Sequence, residues 1–268
     1  MANINKIEKY TFLIQSDSRE AGTPLYDFGF DIKRAIQDES TFRATDVYSY
    51  IYTDFTDLGK FKLLSEEKNI LYIPIGSVEF VENFLIDNQI KLPKPYNIPK
   101  HLRKPPYCKR IIQDITSVMF NNNRGEYNDY YIKSADRYKQ IEITIGKYYD
   151  FFHKNKKIEN YYINSEIKPK IVNEFRCFVF NNTIISIRPY INDLTYEISK
   201  RHVGILNEII EQNINNIDST YYTIDYGILK DDSFELIELQ HPYSVGNYGF
   251  NGIELLLFYL RGFLEIIK

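Results

Sequence analysis

The stretch that most limits how this chain can fold is Tyr222–Gln240, YTIDYGILKDDSFELIELQ. Tyr222, Ile224, Tyr226 and Ile228 alternate with Thr223, Asp225, Gly227 and Leu229. After a polar Lys230–Ser233 turn, Phe234, Leu236 and Glu238 alternate with Glu235, Ile237 and Leu239. Period-two patterning on both sides of turn-forming residues predicts an antiparallel hairpin. Each strand carries an acid, Asp225 and Glu238, among bulky apolar neighbours. A carboxylate in that setting must be hydrogen-bonded, neutralised or set against a cation, because an unpaired buried charge is costly. With the amide oxygen of Gln240 nearby, the two acids form an all-oxygen donor set that suits Mg²⁺.

The remaining patterns build around that hairpin. Asn173–Asn181 and Thr183–Tyr190 predict a second hairpin turning at Asn181-Asn182. Asp129–Ser134, Ile141–Tyr149 and Tyr161–Ile167 read as strands, with Ser134–Gln140 as a polar loop. Asp193–Ile217, with Asp193 as N-cap, and Gly252–Lys268 read as helices. In the first half, Tyr10–Gln15, Asp46–Asp54 and Asn69–Ile75 read as strands, and Phe30–Asp38 and Val78–Asp87 as helices. Gly76-Ser77, between a strand and a helix, could donate backbone N–H groups to an anion. Lys91–Pro106 holds five of the ten prolines, which excludes a regular helix or central strand. A helix is expected after it, over Tyr107–Phe120. These orders predict an α/β domain over 1–106 and a layered α+β domain over 107–268.

Composition narrows the function classes. A net charge of -3 and a pI near 5.9 give no global electrostatic case for nucleic acid or a membrane surface. Cys108 and Cys177 lie far apart and in no metal-ligand spacing, which disfavours zinc. The start, MANINKIEKY, lacks the apolar run of a signal peptide, and no apolar stretch reaches the roughly 20 residues of a membrane span. A soluble, cytoplasmic protein is expected.

Basic residues upstream of the hairpin complete the set. Lys133 sits on the Asp129–Ser134 strand, Lys139 in the loop after it, Arg176 and Arg188 on the Asn181-Asn182 hairpin. Taken singly they have bland readings: Lys133 as an edge lysine with its ammonium in water, Arg176 as the surface partner of Glu174 or Glu235.

Together, the stretches YIKSADRYK, YYINSEI, NEFRCFVFNNTIISI, YTIDYGI and ELIELQHPYSVGNYG, in that order, resemble the ATP-grasp superfamily. Within it they resemble the phage-associated clade defined by two arginines and a lysine. The resemblance spans about Asp129 to Gly249, and Arg110 falls near the clade's first-arginine region. It implies an ATP-grasp fold with nucleotide between its sheets, ATP and Mg²⁺ as cofactors, and a carboxylate–amine ligase acting through an acyl phosphate. The substrates it implies are a carboxylate and an amine, such as a peptide or protein terminus, in the host cytoplasm if phage-encoded. Lys133 and Lys139 would meet the nucleotide phosphates; Ser165, Glu166 and Ile167 would meet adenine and ribose. Arg176 would stabilise the transferred phosphoryl group, and Arg188 the same group or a substrate carboxylate. Asp225, Glu238 and Gln240 would hold Mg²⁺, Gln240 standing where the family usually has Asn. Two alternatives stay open: a phosphotransferase or nucleotidyl ligase using the same ATP and metal set, and a non-catalytic protein that binds a nucleotide or host factor.

Overall fold

A computed structural model describes residues 7–16, 26–43, 47–65, 67–137, 144–150, 158–164, 171–190, 197–213, 217–243 and 245–268. Lys139, Ser165, Glu166, Ile167 and the proposed cap Asp193 lie outside the described residues. The chain forms two compact units, Met1–Pro93 with His241–Lys268, and Lys94–Gln240. The expected division at 106/107 left the terminal helix with the second part. In the structure the terminal helix (Gly252–Ile266) belongs to the first unit, where Leu255, Leu256, Phe258 and Phe263 are buried.

The first unit is α/β. Strand β1 (Lys9–Gln15) runs parallel to β2 (Tyr48–Thr53), and β3 (Leu64–Ser65) is antiparallel to β4 (Ile70–Ile75), itself parallel to β1. Phe12–Ile14 of β1, buried on both faces, form a continuous apolar run. Helix α1 (Tyr26–Arg43) is longer at both ends than its periodicity indicates. Between it and α3 (Val78–Asp87) lies the single turn α2 (Phe55–Leu58). The Ser77 side chain caps α3 by accepting from the Phe80 N–H, and the Ser77 N–H donates to Gln15 Oε1 at 2.8 Å. That N–H, considered above for an anion, already has an internal acceptor.

The second unit holds two antiparallel four-stranded sheets. The first contains β5 (Ile112–Thr116), β6 (Tyr131–Ser134), β7 (Thr144–Ile145) and β8 (Asn160–Asn164), in the order β5-β8-β6-β7. Its core gathers Ile115, Phe120, Tyr127, Ile132, Tyr149, Tyr161 and Ile163. Gly146 follows β7 because a Cβ there would lie 1.9 Å from the Tyr127 carbonyl oxygen. The second sheet contains β9 (Ile171–Phe180), β10 (Thr183–Pro189), β11 (Tyr221–Leu229) and β12 (Phe234–Gln240), in the order β10-β9-β11-β12. Asn181 and Asn182 both take positive φ, 46° and 60°, as the tight turn of β9–β10 requires. A helix over Lys200–Asn213, preceded by the non-helical Glu197–Ser199 of the predicted Asp193–Ile217 span, lays Ile205, Leu206, Ile209 and Ile210 into the same core as Cys177, Val179, Ile224, Tyr226, Leu236 and Leu239.

The helix expected over Tyr107–Phe120 is not formed; only α4 (Ser117–Asn122) is helical, and β5 precedes it. Long-range bonds draw the segment out. The Tyr107 carbonyl accepts from Leu236 N at 2.7 Å, the Lys109 N–H donates to Glu235 at 2.8 Å, and β5 pairs with β8. Local propensity yields to tertiary pairing. Among the described residues no helix is long and apolar enough to cross a membrane.

The core of the second unit is held by a ring stack, Phe175–Tyr226 at 5.3 Å and Tyr226–Phe234 at 4.8 Å. Phe234→Ala is expected to lower stability by about 3–5 kcal/mol through lost transfer energy and the cavity left behind, read as a shift in urea midpoint with unchanged slope.

Candidate functional site

The polar face of the second sheet is set by two one-residue bulges. In β12, Asp225 faces Glu238 and Tyr226 faces Leu236, so Ile237 is the extra residue. In β10, Ile184 faces Val179 and Ser186 faces Phe178, so Ile185 is extra. A bulge changes side-chain parity along its strand. Strict alternation puts Glu238 on the face of Phe234 and Leu236. The bulge corrects this: Leu239 joins them in the core, and Glu238 and Gln240 turn to the other face with Asp225. On the opposite outer strand, Ile184 and Ile187 both pack toward the core while Arg188 turns to the face of Arg176.

The outcome is one cross-strand row through all four strands, Arg188–Arg176–Asp225–Glu238, two cations beside two anions. Arg176 and Asp225, 3% and 1% exposed, form a bidentate pair, Nε to Oδ1 at 2.8 Å and Nη2 to Oδ2 at 2.7 Å. Tyr190 was not anticipated as a site residue. Its hydroxyl donates to Asp225 Oδ2 at 2.5 Å and accepts from Arg176 Nη2 at 2.7 Å, and the guanidinium lies 5.3 Å from its ring. Gln240 joins the cluster, its amide nitrogen donating to Glu238 Oε1 and its Oε1 accepting from Arg176 at 3.3 Å. From β6 of the other sheet, on the side opposite the buried Ile132, the Lys133 ammonium reaches Glu238 Oε2 at 3.6 Å. Glu238 and Lys133 keep partial solvent access.

The structure thus gathers Lys133, Arg176, Asp225, Glu238 and Gln240, with Arg188 next in the row and bonded through Nε to Ser186 Oγ at 2.9 Å. Arg176 is no surface bridge, since it is buried against Asp225. Glu235 belongs instead to Arg110, Nε to Oε1 at 2.7 Å, and also accepts from Lys109 N and the Cys108 thiol. Burial and the neighbouring Glu235 carboxylate push the Cys108 thiol up to about 11. Burial likewise raises the Cys177 thiol.

Just past Lys133, Asp136 fixes the start of the following loop. Its carboxylate accepts from the backbone of Glu159 and Asn160 and from the Asn160 amide, at 3.1, 2.8 and 2.8 Å. Lys133 therefore leaves β6 from a tethered backbone.

The donor set fits magnesium in kind: two carboxylates on facing strand positions and one amide oxygen, all hard oxygen ligands. Asp225 Oδ1 accepts one hydrogen bond and Oδ2 two, so Oδ1 retains acceptor capacity while Arg176 is paired.

The profile of the ATP-grasp domain, in family 2 of the clade defined by two arginines and a lysine, matches residues 107–256, more than half of the chain. The chain belongs to this ATP-grasp family. No curated protein matches it in sequence. Among solved structures it is similar to D-cycloserine synthetase DcsG at 10% identity and a TM-score of 0.52, covering 96% of this chain and 100% of that one. D-alanyl-alanine synthetase A from Vibrio cholerae aligns at 12% identity and 0.48, covering 96% and 99%. The ATP-grasp ligase PsnB, solved with its precursor peptide and AMPPNP, aligns at 11% and 0.44, covering 99% of each chain. The ATP-grasp fold expected from the motifs is the fold observed.

Two measurements test this geometry. Arg176→Met leaves the Asp225 carboxylate buried without its guanidinium and is expected to cost about 3–5 kcal/mol, read by chemical denaturation at pH 7. The Cys108 thiol, held above its ordinary value of 9.0, loses its proton first in the unfolded chain. Its contribution is therefore full below pH 9 and lost as pH rises toward 11. Denaturation midpoints are expected to fall over that range, with a shallower fall in Cys108→Ala.

Proposed function

We propose that this ATP-grasp protein is an ATP- and Mg²⁺-dependent ligase that joins a carboxylate to an amine. The observation that carries the reading is the Arg188–Arg176–Asp225–Glu238 row facing Lys133 across the two sheets. Opposite charges meet there on rigid strands, with Glu238 and Lys133 partly open to solvent. Such an arrangement suits a polyanion carried with a cation.

Hydroxide is a poor leaving group, so a carboxylate must be activated before an amine can displace its oxygen. In the proposed reaction a carboxylate oxygen attacks the γ-phosphorus of ATP and ADP leaves. The amine nitrogen then attacks the acyl carbon of the resulting acyl phosphate, phosphate leaves, and the amine proton passes to solvent or phosphate. Lys133 binds the phosphates as a point charge, and Lys139, further along the sequence, adds to it. Arg176 faces the transferred phosphoryl group, and Arg188 the same group or the substrate carboxylate. Ser165, Glu166 and Ile167 read the base and ribose. Asp225, Glu238 and Gln240 would hold Mg²⁺, which when bound neutralises phosphate charge and orients the phosphates. Positioning and charge stabilisation suffice for phosphoryl transfer, and no protein nucleophile is required. The acceptor class is a peptide, a protein terminus or an amino-acid-like molecule.

Glu238→Gln is expected to abolish Mg²⁺-dependent ATP turnover while retaining native stability, and Asp225→Asn to abolish it while also lowering the denaturation midpoint, because it leaves Arg176 buried without its counter-charge; wild-type turnover in both removes the metal assignment. Lys133→Ala is expected to weaken ATP-analogue binding by about tenfold, a loss of ~1.4 kcal/mol, read by calorimetry. Release of ADP with phosphate supports the ligase. AMP with pyrophosphate would mean nucleotidyl transfer, and tight ATP binding with no turnover a nucleotide-binding protein.

A further inference from the structure

We propose that Arg110 is a positioning residue for Glu238, acting as a clamp on the β12 bulge. This rests on the ligase reading, in which Glu238 is a metal ligand.

Strand β12 is the outer strand of its sheet, so among the described residues the backbone groups on its far side have no neighbouring strand. The segment after the proline-rich stretch supplies partners for them. Tyr107 accepts the Leu236 N–H, and Arg110 Nη2 donates to the Leu236 carbonyl and, at 3.3 Å, to the Ile237 carbonyl. Those are the two carbonyls on either side of the extra residue, immediately before Glu238. The same guanidinium is anchored through Nε to Glu235, which is fully buried and further bonded by Lys109 N and the Cys108 thiol. One planar cation therefore ties the strand before the bulge to the bulge itself. Lysine, with a single ammonium and no fork, cannot hold the carboxylate and both carbonyls in that geometry.

What the clamp fixes is parity. Bulged, β12 turns Glu238 toward Asp225 and Lys133 and buries Leu239. Relaxed to regular alternation, the strand would exchange the two, withdrawing a carboxylate from the polar face. Carrying Glu238 into the apolar core opposes that exchange, and the Arg110 bonds to the Leu236 and Ile237 carbonyls hold the extra residue in the same sense. Groups that orient a ligand without touching the metal commonly control its affinity by about 10–100-fold.

The test is the double variant Arg110→Gln/Glu235→Gln, which removes the fork without leaving a buried charge alone. Three readouts are taken: crystal structure, Mn²⁺ affinity without nucleotide by electron paramagnetic resonance, and the kcat and KM of ATP turnover. The expected result is loss of the Glu238–Lys133 approach, Mn²⁺ affinity and kcat each down about tenfold or more, and KM for ATP within about twofold because Lys133 is untouched. A folded variant that keeps the bulge, with Mn²⁺ affinity and kcat at parental values, overturns the clamp. If the double variant does not fold, Arg110→Lys, which keeps the charge beside Glu235, is held to the same outcomes. A parent that binds neither Mn²⁺ nor ATP refutes the ligase reading, and the variant's crystal structure then decides the clamp by itself.

Discussion

The buried pairing of Arg176 with Asp225 is the constraint on which the polar face of the second unit depends. Both groups are almost wholly shielded, on adjacent strands at facing positions, and each would be strongly destabilising alone. Their bidentate contact, with Tyr190 bonded to both, makes an interior charge pair compatible with a sheet whose other face is the apolar core. The neighbours arrange themselves around that fixed point. Gln240 bridges from Arg176 to Glu238, and Glu238 meets Lys133 from the facing sheet. Charge therefore grades from sealed at the centre of the row to accessible at its edge.

Much of this was legible in the sequence, for physical reasons. Both hairpins, their turns and the strand holding Lys133 follow from period-two patterning and from asparagines that tolerate positive φ at the β9–β10 turn. Helix α3 matches its predicted span residue for residue because its apolar face and Ser77 cap are both local signals. The Tyr107–Phe120 segment failed because nothing local announces a backbone held by a carboxylate far along the chain. The row itself was hidden by parity. Leu236-Ile237 and Ile184-Ile185 are adjacent apolar pairs in otherwise alternating strands, and each marks the point where the chain inserts its extra residue. Reading those pairs as breaks, rather than as continued alternation, recovers the facing of Glu238 and Arg188.

Arg176 and Arg110 show how similar residues separate by surroundings. Both pair with a buried acid of the β11–β12 hairpin. Arg176 lies within the charged row beside Tyr190 and Gln240, whereas Arg110 spends its donors on Glu235 and on main-chain carbonyls. The first belongs to the charged row, the second to the outer edge of β12.

The first unit is discontinuous in sequence, with Lys94–Gln240 inserted between its two parts. Synthesis on the ribosome runs from N- to C-terminus. The inserted unit is thus complete while the first still lacks the helix that carries Phe258 and Phe263. Helices α1 and α3, made before the insert, keep the surfaces that meet this helix uncovered until it emerges. Nascent-chain quality control would meet the first unit at that stage, with its two stretches of sequence not yet joined.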